Sequence, residues 1–275
     1  MKGHVLTTWT DISKWIILLC SLIVNVSTVD ASEPEIKIHY LGHSAFVLEF
    51  DNGMTVVTDY GHFNAWAEWG WDSPIHDIGD LVPDVMTYSH RHHDDHYDPD
   101  RIPEGVRYIL KDTDSLTIDD LEIRPIRTCE QSVDSADNTS FLFIYKGLQL
   151  LHLGDAQAQI ENIQTEEVRA HIAEILPHSV DMLLMTVQGV NKFIPQAEAF
   201  IDLLQPKRVI PMHHWSQEYL DHFLQHLEKQ NSAGKHYDIH RLDDAKTTLS
   251  RDEPVTPITV ISLNRAPFQS SIGTE

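Results

Sequence analysis

The chain has 275 residues, enough for one large domain or two small ones, and 41% of them are hydrophobic, which is ordinary for a globular protein. It carries 42 acidic and 20 basic side chains, which give a formal net charge of −22. This charge argues against nucleic acid or an anionic membrane surface as the main partner, because phosphate groups would be repelled. A bound cation would reverse the field only locally.

The N-terminal residues are typical of a targeting segment. Lys2 and Lys14 precede an apolar run over residues 15–26, which is shorter than the roughly 20 residues that span a bilayer comfortably. We therefore expect a signal peptide over residues 1–31, cleaved after Ala31, and a secreted or periplasmic mature chain. The alternative is that residues 15–26 remain as a membrane anchor; without that anchor no stable membrane partner is expected.

The mature chain, residues 32–275, keeps a single cysteine, Cys129, and so can form no internal disulfide. Export without a disulfide is compatible with a domain of this size, which can bury a sufficient hydrophobic core.

The first half of the mature chain is predicted to be rich in strands. The expected strands cover residues 36–40, 45–50, 54–58, 85–88, 106–110, 141–145 and 148–153, with two short strand-like runs within 115–126. Between the third and fourth strands, residues 60–80 show no clear period and contain Trp66, Trp69 and Trp71. These tryptophans either pack onto the domain or form a hydrophobic rim that grips a substrate.

The second half of the chain alternates between helical and strand patterns. Helices are predicted over residues 159–175, 195–204 and 217–230, and strands over 181–185, 208–212 and 258–263, followed by a polar tail over 264–275. No internal repeat or linker divides the chain. A single sandwich-like α/β domain is the simplest arrangement.

The central stretch of the sequence, residues 89–98, holds four histidines and three aspartates directly after a short apolar strand. Imidazole and carboxylate are ligands that suit zinc, iron and manganese. A strand that ends in such a cluster provides a rigid support for several ligands at one point. The alternative is a solvated, histidine-rich loop, but the density of ligand-type residues at a strand end favours a metal site.

Other predicted strands also end in residues that can bind a metal. Asp59, Asp155 and His213 follow strands that are far apart in sequence. The ends of these strands can converge if the strands lie in one layered domain.

Four segments together resemble the metallo-β-lactamase superfamily, in its lactonase-like branch. They are the opening strand pair over residues 40–49, a signature similar to His-x-His-x-Asp-His over 90–96, Leu-Gly-Asp at 153–155 and the final histidine motif over 209–213. The resemblance covers roughly residues 35–215. It implies an α+β/α/β fold, a four-layer αββα sandwich with one or two metals at the strand ends.

The resemblance also implies a role for each matching residue. His90 and His92 would bind the first metal, and Asp95, His96 and His213 the second, with Asp155 as the bridging carboxylate. Asp59 would support the site by orienting its ligands. The implied cofactor is one or two divalent metals, in the first place Zn2+, with Mn2+ or Fe2+ as alternatives.

Two departures from the family pattern stand out. The signature is one residue too long, so we assign Asp95 and His96 as ligands and treat one preceding residue as inserted; a shifted register would use His93 instead. The family's next histidine is missing from residues 127–131, where Cys129 or Glu130 could serve, unless the site has lost a ligand. His43, in a Gly-His-Ser turn, is expected to form a structural hydrogen bond.

The function that the resemblance implies is metal-dependent hydrolysis. A metal-bound hydroxide would attack an ester, lactone or phosphodiester bond of a small-molecule substrate, and Asp95 would orient the hydroxide or pass its proton on. The alternative is a non-catalytic member of the same fold that binds a metal or a small ligand.

Overall fold

The computed structural model describes residues 33–67, 70–90, 95–111, 114–187, 191–251 and 257–269. The described residues from Pro34 onward form one compact unit. The expected signal peptide, Trp69 and His92 lie outside the described residues. Within the described part of the chain, no helix combines the length and apolar character needed to cross a membrane.

The described residues form fourteen strands and four α-helices. The strands are β1 (Glu35–Gly42), β2 (Ala45–Phe50), β3 (Thr55–Thr58), β4 (Val85–Tyr88), β5 (Tyr108–Lys111), β6 (Leu116–Ile118), β7 (Leu121–Thr128), β8 (Asn138–Tyr145), β9 (Leu148–His152), β10 (Met182–Thr186), β11 (Arg208–Met212), β12 (Tyr237–Arg241), β13 (Lys246–Ser250) and β14 (Ile258–Ser262). The helices are α1 (Gln157–Glu161), α2 (Glu166–Ile175), α3 (Ile194–Leu204) and α4 (Gln217–Ser232), with 3-10 turns at Pro99–Arg101 and Asn191–Phe193.

The strands build two mixed sheets. The first has the order β13-β1-β2-β3-β4-β5 and the second the order β12-β14-β11-β10-β9-β8-β7-β6. In the first sheet β1, β2 and β3 form an antiparallel meander, and β4 then joins β3 in parallel. In the second sheet β9, β10 and β11 are parallel, because helices connect them.

The alternating side chains of the first sheet divide its two faces between two cores. Phe46 and Leu48 belong to the large core, which also contains residues of the second sheet and the apolar faces of α3 and α4. Ala45 and Val47 point to the other face, which is covered partly by the segment after β3. The two sheets thus pack against each other with helices outside, and the expected metallo-β-lactamase-type αββα sandwich is confirmed.

Several elements differ from the sequence-based expectation. The single helix expected over 159–175 is two helices, because the N–H groups of Ile163 and Thr165 bond three residues back, to Ile160 (3.3 Å) and Asn162 (3.0 Å), and the chain leaves the α-helical pattern. Strands β12 and β13 were not expected, since most of their residues are polar or exposed. The expected polar tail includes Phe268, which is buried on the outer face of the first sheet.

Gly154 connects β9 to Asp155 in a crowded place. Its φ is +61°, and a Cβ there would lie 2.3 Å from Cβ of Ser89 and 2.6 Å from Oδ1 of Asn138. Gly79 has the same φ of +61° but no atom within 4 Å of the corresponding position. Gly79→Ala should lower the free energy of unfolding by about 1–2 kcal/mol through its backbone conformation alone. Gly154→Ala should cost about 1–3 kcal/mol more, because it also overpacks the site.

Urea denaturation of both variants measures this difference in the free energy of unfolding. Equal losses for the two variants would show that the contacts around Gly154 yield without cost.

Candidate metal centre

The direction of the strands brings several ligand-type residues to one edge of the sandwich. In the first sheet β1, β3 and β4 run the same way, and in the second sheet β7, β9 and β11 run the same way. The carboxyl ends of these six strands are followed, within three residues, by His43, Asp59, His90, Glu130, Asp155 and His213.

Four buried side chains form the centre of this group. One ligand atom from each of His43, Asp95, His96 and His213 lies within 4.8 Å of the others, a group that we call the central cluster. Asp155 adjoins it, with its Oδ2 3.4 Å from Nε2 of His213. Such a set of imidazole nitrogens and carboxylate oxygens suits a divalent cation such as zinc, manganese or iron.

The structure thus brings together Asp95, His96, Asp155 and His213 of the sequence-predicted ligands. His90 lies beside them, with its ring centroid 5.0 Å from that of His96. His92 lies outside the described residues, so its position is not compared. The assignment of these residues as ligands stays a prediction.

The buried carboxylate of Asp59 supports the central cluster through hydrogen bonds. Its carboxylate accepts hydrogen bonds from the backbone N–H of Ser89 (2.6 Å) and the Ser89 hydroxyl (2.7 Å). It also accepts from Nδ1 of His96 at 2.9 Å. A carboxylate on Nδ1 fixes the orientation of the imidazole and leaves Nε2 directed into the cluster, an arrangement common behind metal-binding histidines.

The rings of His96 and His213 face each other through their Nε2 atoms at 3.2 Å. Burial alone would lower the pKa of His96, but the carboxylates of Asp95 and Asp59 raise it to about 10. Burial lowers the pKa of His213 well below its usual value. His96 therefore carries a proton that it shares with a neutral His213, and a cation binding there would displace this proton.

His43 was expected only to form a structural hydrogen bond. Its Nδ1 does lie 3.0 Å from Oγ of Ser73, whose hydroxyl donates to the carbonyl oxygen of His214. Burial lowers the pKa of His43, so the ring is neutral and carries one proton. In the tautomer with the proton on Nδ1, the Ser73 oxygen accepts it; in the other, Nε2 donates to Oδ2 of Asp95, 3.1 Å away. A cation bound by Nε2 of His43 and Oδ2 of Asp95 would require the tautomer with the proton on Nδ1.

Asp95 is positioned by an unexpected neighbour. The indole N–H of Trp66 donates to Oδ2 of Asp95 at 2.8 Å. The other oxygen, Oδ1, is buried and has no hydrogen-bond partner among the described residues. Burial alone would raise the pKa of Asp95, but the charge of His96 holds it well below its usual value. A buried carboxylate oxygen without a hydrogen bond is costly, and a cation or a water molecule beside it would compensate it.

His43 could have been found from the sequence by one signal. It directly follows β1, and two hairpins in succession, from β1 to β2 and from β2 to β3, make β1 parallel to β3. A residue at the end of β1 therefore lies at the same edge as Asp59.

Comparison with known proteins supports this architecture. The sequence model described as a β-lactamase superfamily domain matches residues 37–213, well over half of the chain. The chain belongs to the metallo-β-lactamase superfamily. Its assignment to the lactonase-like branch stays a prediction. No curated protein matches the chain.

Solved structures share the metallo-β-lactamase fold with this chain. A proposed zinc-dependent hydrolase of the superfamily from Thermotoga maritima has a TM-score of 0.55 and 23% identity, covering 83% of this chain and 98% of that one. A proposed metal-dependent hydrolase from Parabacteroides distasonis has a TM-score of 0.52 and 15% identity, covering 72% and 90%. CmlA, a diiron β-hydroxylase from Streptomyces venezuelae, has a TM-score of 0.52 and 15% identity, covering 80% and 54%. These likenesses show the fold.

Asp59→Asn tests the support beneath the central cluster. The amide keeps the shape of the carboxylate but turns an NH2 group towards one of three donors and removes the charge. We expect the free energy of unfolding to fall by about 2–3 kcal/mol, the contribution of charged hydrogen bonds at a buried site. The matched control is Asp119→Asn, because Asp119 is exposed and also has a positive φ. Thermal or urea unfolding that gives similar stabilities for the two variants would contradict the role of Asp59.

Proposed function

We propose that this chain is a metal-dependent hydrolase that cleaves an ester, lactone or phosphodiester bond of a small-molecule substrate. The observation that supports this proposal most is the buried central cluster beside Asp155, at an edge to which six strands direct their ends. Its donor set fits a divalent cation, first of all Zn2+, with Mn2+ and Fe2+ as alternatives.

His43, Asp95, His96 and His213 would hold this cation, with Asp155 in reach beside His213. A divalent cation held there supplies a Lewis acid for the scissile bond and lowers the pKa of a water molecule towards neutrality. The protein's own groups have three further tasks: they orient the ligands, take up a proton and position the substrate.

Asp95 is the residue that we assign to proton transfer. Its Oδ2 is held by the indole N–H of Trp66 at 2.8 Å, which fixes the plane of the carboxylate. Its Oδ1 is buried without a hydrogen bond to the described residues, and can align a water molecule or accept its proton. Trp66 thereby acts as a positioning residue.

Three partly exposed aromatic side chains pack together, and two of them lie close in sequence to residues of the centre. Trp71 packs against Trp215 with ring centroids 4.4 Å apart, and against Tyr219 at 6.0 Å. Trp215 follows His213 by two residues, and Trp71 precedes Ser73, which touches His43, by two residues. We propose that this aromatic group contacts the apolar part of the substrate.

His213→Ala should abolish most of the hydrolytic activity, because it removes a nitrogen donor from the centre of the cluster. We expect kcat/KM to fall by at least about 10²-fold, more than the usual effect of losing an outer-shell partner of a metal ligand. The assay uses the full chain with p-nitrophenyl esters, aliphatic lactones and bis-p-nitrophenyl phosphate, after metal removal and again after addition of Zn2+, Mn2+ or Fe2+.

The matched control is His171→Ala, on the exposed face of α2, which should leave activity unchanged. A wild-type chain that binds metal but turns over none of these substrates would favour the alternative, a non-catalytic member that binds a metal or ligand. Activity that survives both His213→Ala and metal removal would place the chemistry elsewhere.

We also propose that the chain is secreted or periplasmic, on the strength of its N-terminal sequence. Cleavage after Ala31 predicts a mature chain that begins at Ser32. The intact mass of the protein recovered from the extracytoplasmic fraction measures this directly. Recovery of the uncleaved chain in the membrane fraction would instead support an anchor formed by residues 15–26.

A further inference from the structure

The family pattern has a histidine within residues 127–131, where this sequence has none. The carboxylate of Glu130 lies in this stretch, next to the central cluster. Glu130 follows the end of β7, and its Oε2 lies 3.0 Å from Nε2 of His90. The His90 side chain is fully buried, and that of Glu130 is 17% exposed. Two ligands at about 2.1 Å from one cation, at angles between 90° and 110°, are about 3.0–3.4 Å apart, so this pair has the spacing of neighbouring ligands.

The backbone around Glu130 is fixed from both sides. The N–H of Glu130 donates to Oδ1 of Asp137 at 2.8 Å. The N–H of the preceding Cys129 donates to Oε1 of Gln159 at 2.8 Å, and its carbonyl oxygen accepts from the N–H of Ala158 at 3.1 Å, both in α1. The Glu130 carboxylate is therefore presented to His90 by an ordered turn.

Cys129, the other candidate of the sequence, is directed elsewhere. Its thiol donates to the carbonyl oxygen of Val133, with Sγ at 3.2 Å, inside its own loop. Of the two neighbouring residues, the carboxylate and not the thiol faces His90. This observation separates two possibilities that the sequence left open.

We propose that Glu130 is a metal ligand, which shares with His90 a second divalent cation beside the one held by the central cluster. The proposal rests on the proposed function, since both require a metal at this edge, and it adds a second site with its own ligands. The ring centroid of His90 lies 5.0 Å from that of His96, so the two cations would be neighbours. An oxygen donor in place of an imidazole also shifts the preference of this site towards Mn2+ relative to Zn2+.

The competing role for Glu130 is that of a hydrogen-bond acceptor that only orients the His90 ring. Glu130→Gln distinguishes the two roles. The amide oxygen still accepts a hydrogen bond from imidazole, but a neutral amide is a much poorer ligand than a carboxylate. Glu130→His, in turn, offers the imidazole that the family pattern has here.

The experiment measures metal binding rather than turnover. The full chain is stripped of metal and dialysed against Zn2+ or Mn2+, bound metal is counted by mass spectrometry, and affinities are obtained by calorimetry. We expect two equivalents for the wild type, and for Glu130→Gln either one equivalent or a second site weakened at least about 10-fold. Glu130→His should retain two equivalents with a higher ratio of Zn2+ to Mn2+ affinity. The matched control, Glu104→Gln, changes an exposed glutamate and should bind as the wild type does.

Glu130→Gln that binds as much metal as the wild type, with the same affinity, would overturn the proposal. So would a wild type that binds no metal, or one that binds a single equivalent with an affinity that Glu130→Gln does not change. Melting temperatures without metal, close to that of the wild type, verify that each variant folds. Because the readout is binding, the outcomes for the two proposals can be told apart. If the chain binds two metals but hydrolyses none of the substrates, the proposed function fails and the Glu130 site stands. If the chain is active but Glu130→Gln leaves its metal binding unchanged, the proposed function stands and the Glu130 site fails.

Discussion

The hydrogen bonds to the buried carboxylate of Asp59 hold the candidate centre in place. Asp59 directly follows β3, and its hydrogen bonds with the backbone and hydroxyl of Ser89 tie it to the residue that follows β4. Through Nδ1 of His96 it is tied to the central cluster. The Asp59 side chain therefore links β3 and β4, two parallel strands of the first sheet, to His96 of the central cluster. Burial of this carboxylate is tolerable only because all of these donors converge on it.

The electrostatics of the cluster follow from that arrangement. Asp59 and Asp95 lie on two sides of His96, and together they keep its imidazole protonated, while His43 and His213 are held neutral by burial. One proton thus balances part of the negative charge of the carboxylates, among which Asp155 also lies close. A divalent cation in the same place would bring two positive charges, and it would have to displace the proton of His96 to bind Nε2 of that ring.

Strands with strong boundaries could be predicted from the sequence. For β2, β4 and β11 the predicted bounds agree with those observed, because short apolar runs of these lengths lie between turn residues or charged clusters. By contrast, β12 and β13 depend on pairing with β14 and β1, which are distant in sequence, and their exposed residues carry no apolar pattern. The break between α1 and α2 arises from tighter backbone turns over residues 162–165 that periodicity does not reveal.

The candidate site shows the same division. The grouping of Asp95, His96, Asp155 and His213 could be expected, because each follows or lies near the end of a strand. The Gly-His-Ser turn by itself does not reveal the contribution of His43; the signal lies in the two successive hairpins that make β1 parallel to β3. The choice between Cys129 and Glu130 depends on which way two adjacent side chains point, and no spacing rule determines that.

The two sides of the centre are supported by different parts of the fold. On one side Asp59 and Ser89 hold His96 from the first sheet; on the other, contacts with α1 and Asp137 hold Glu130 near His90. Neither support uses a metal, and the large core joins both sheets independently of the site. Small zinc domains depend on their metal for folding, whereas this domain has a large hydrophobic core between and around its sheets that does not include the candidate centre. We therefore expect variants of single candidate ligands to fold, so that their metal affinities can be compared directly.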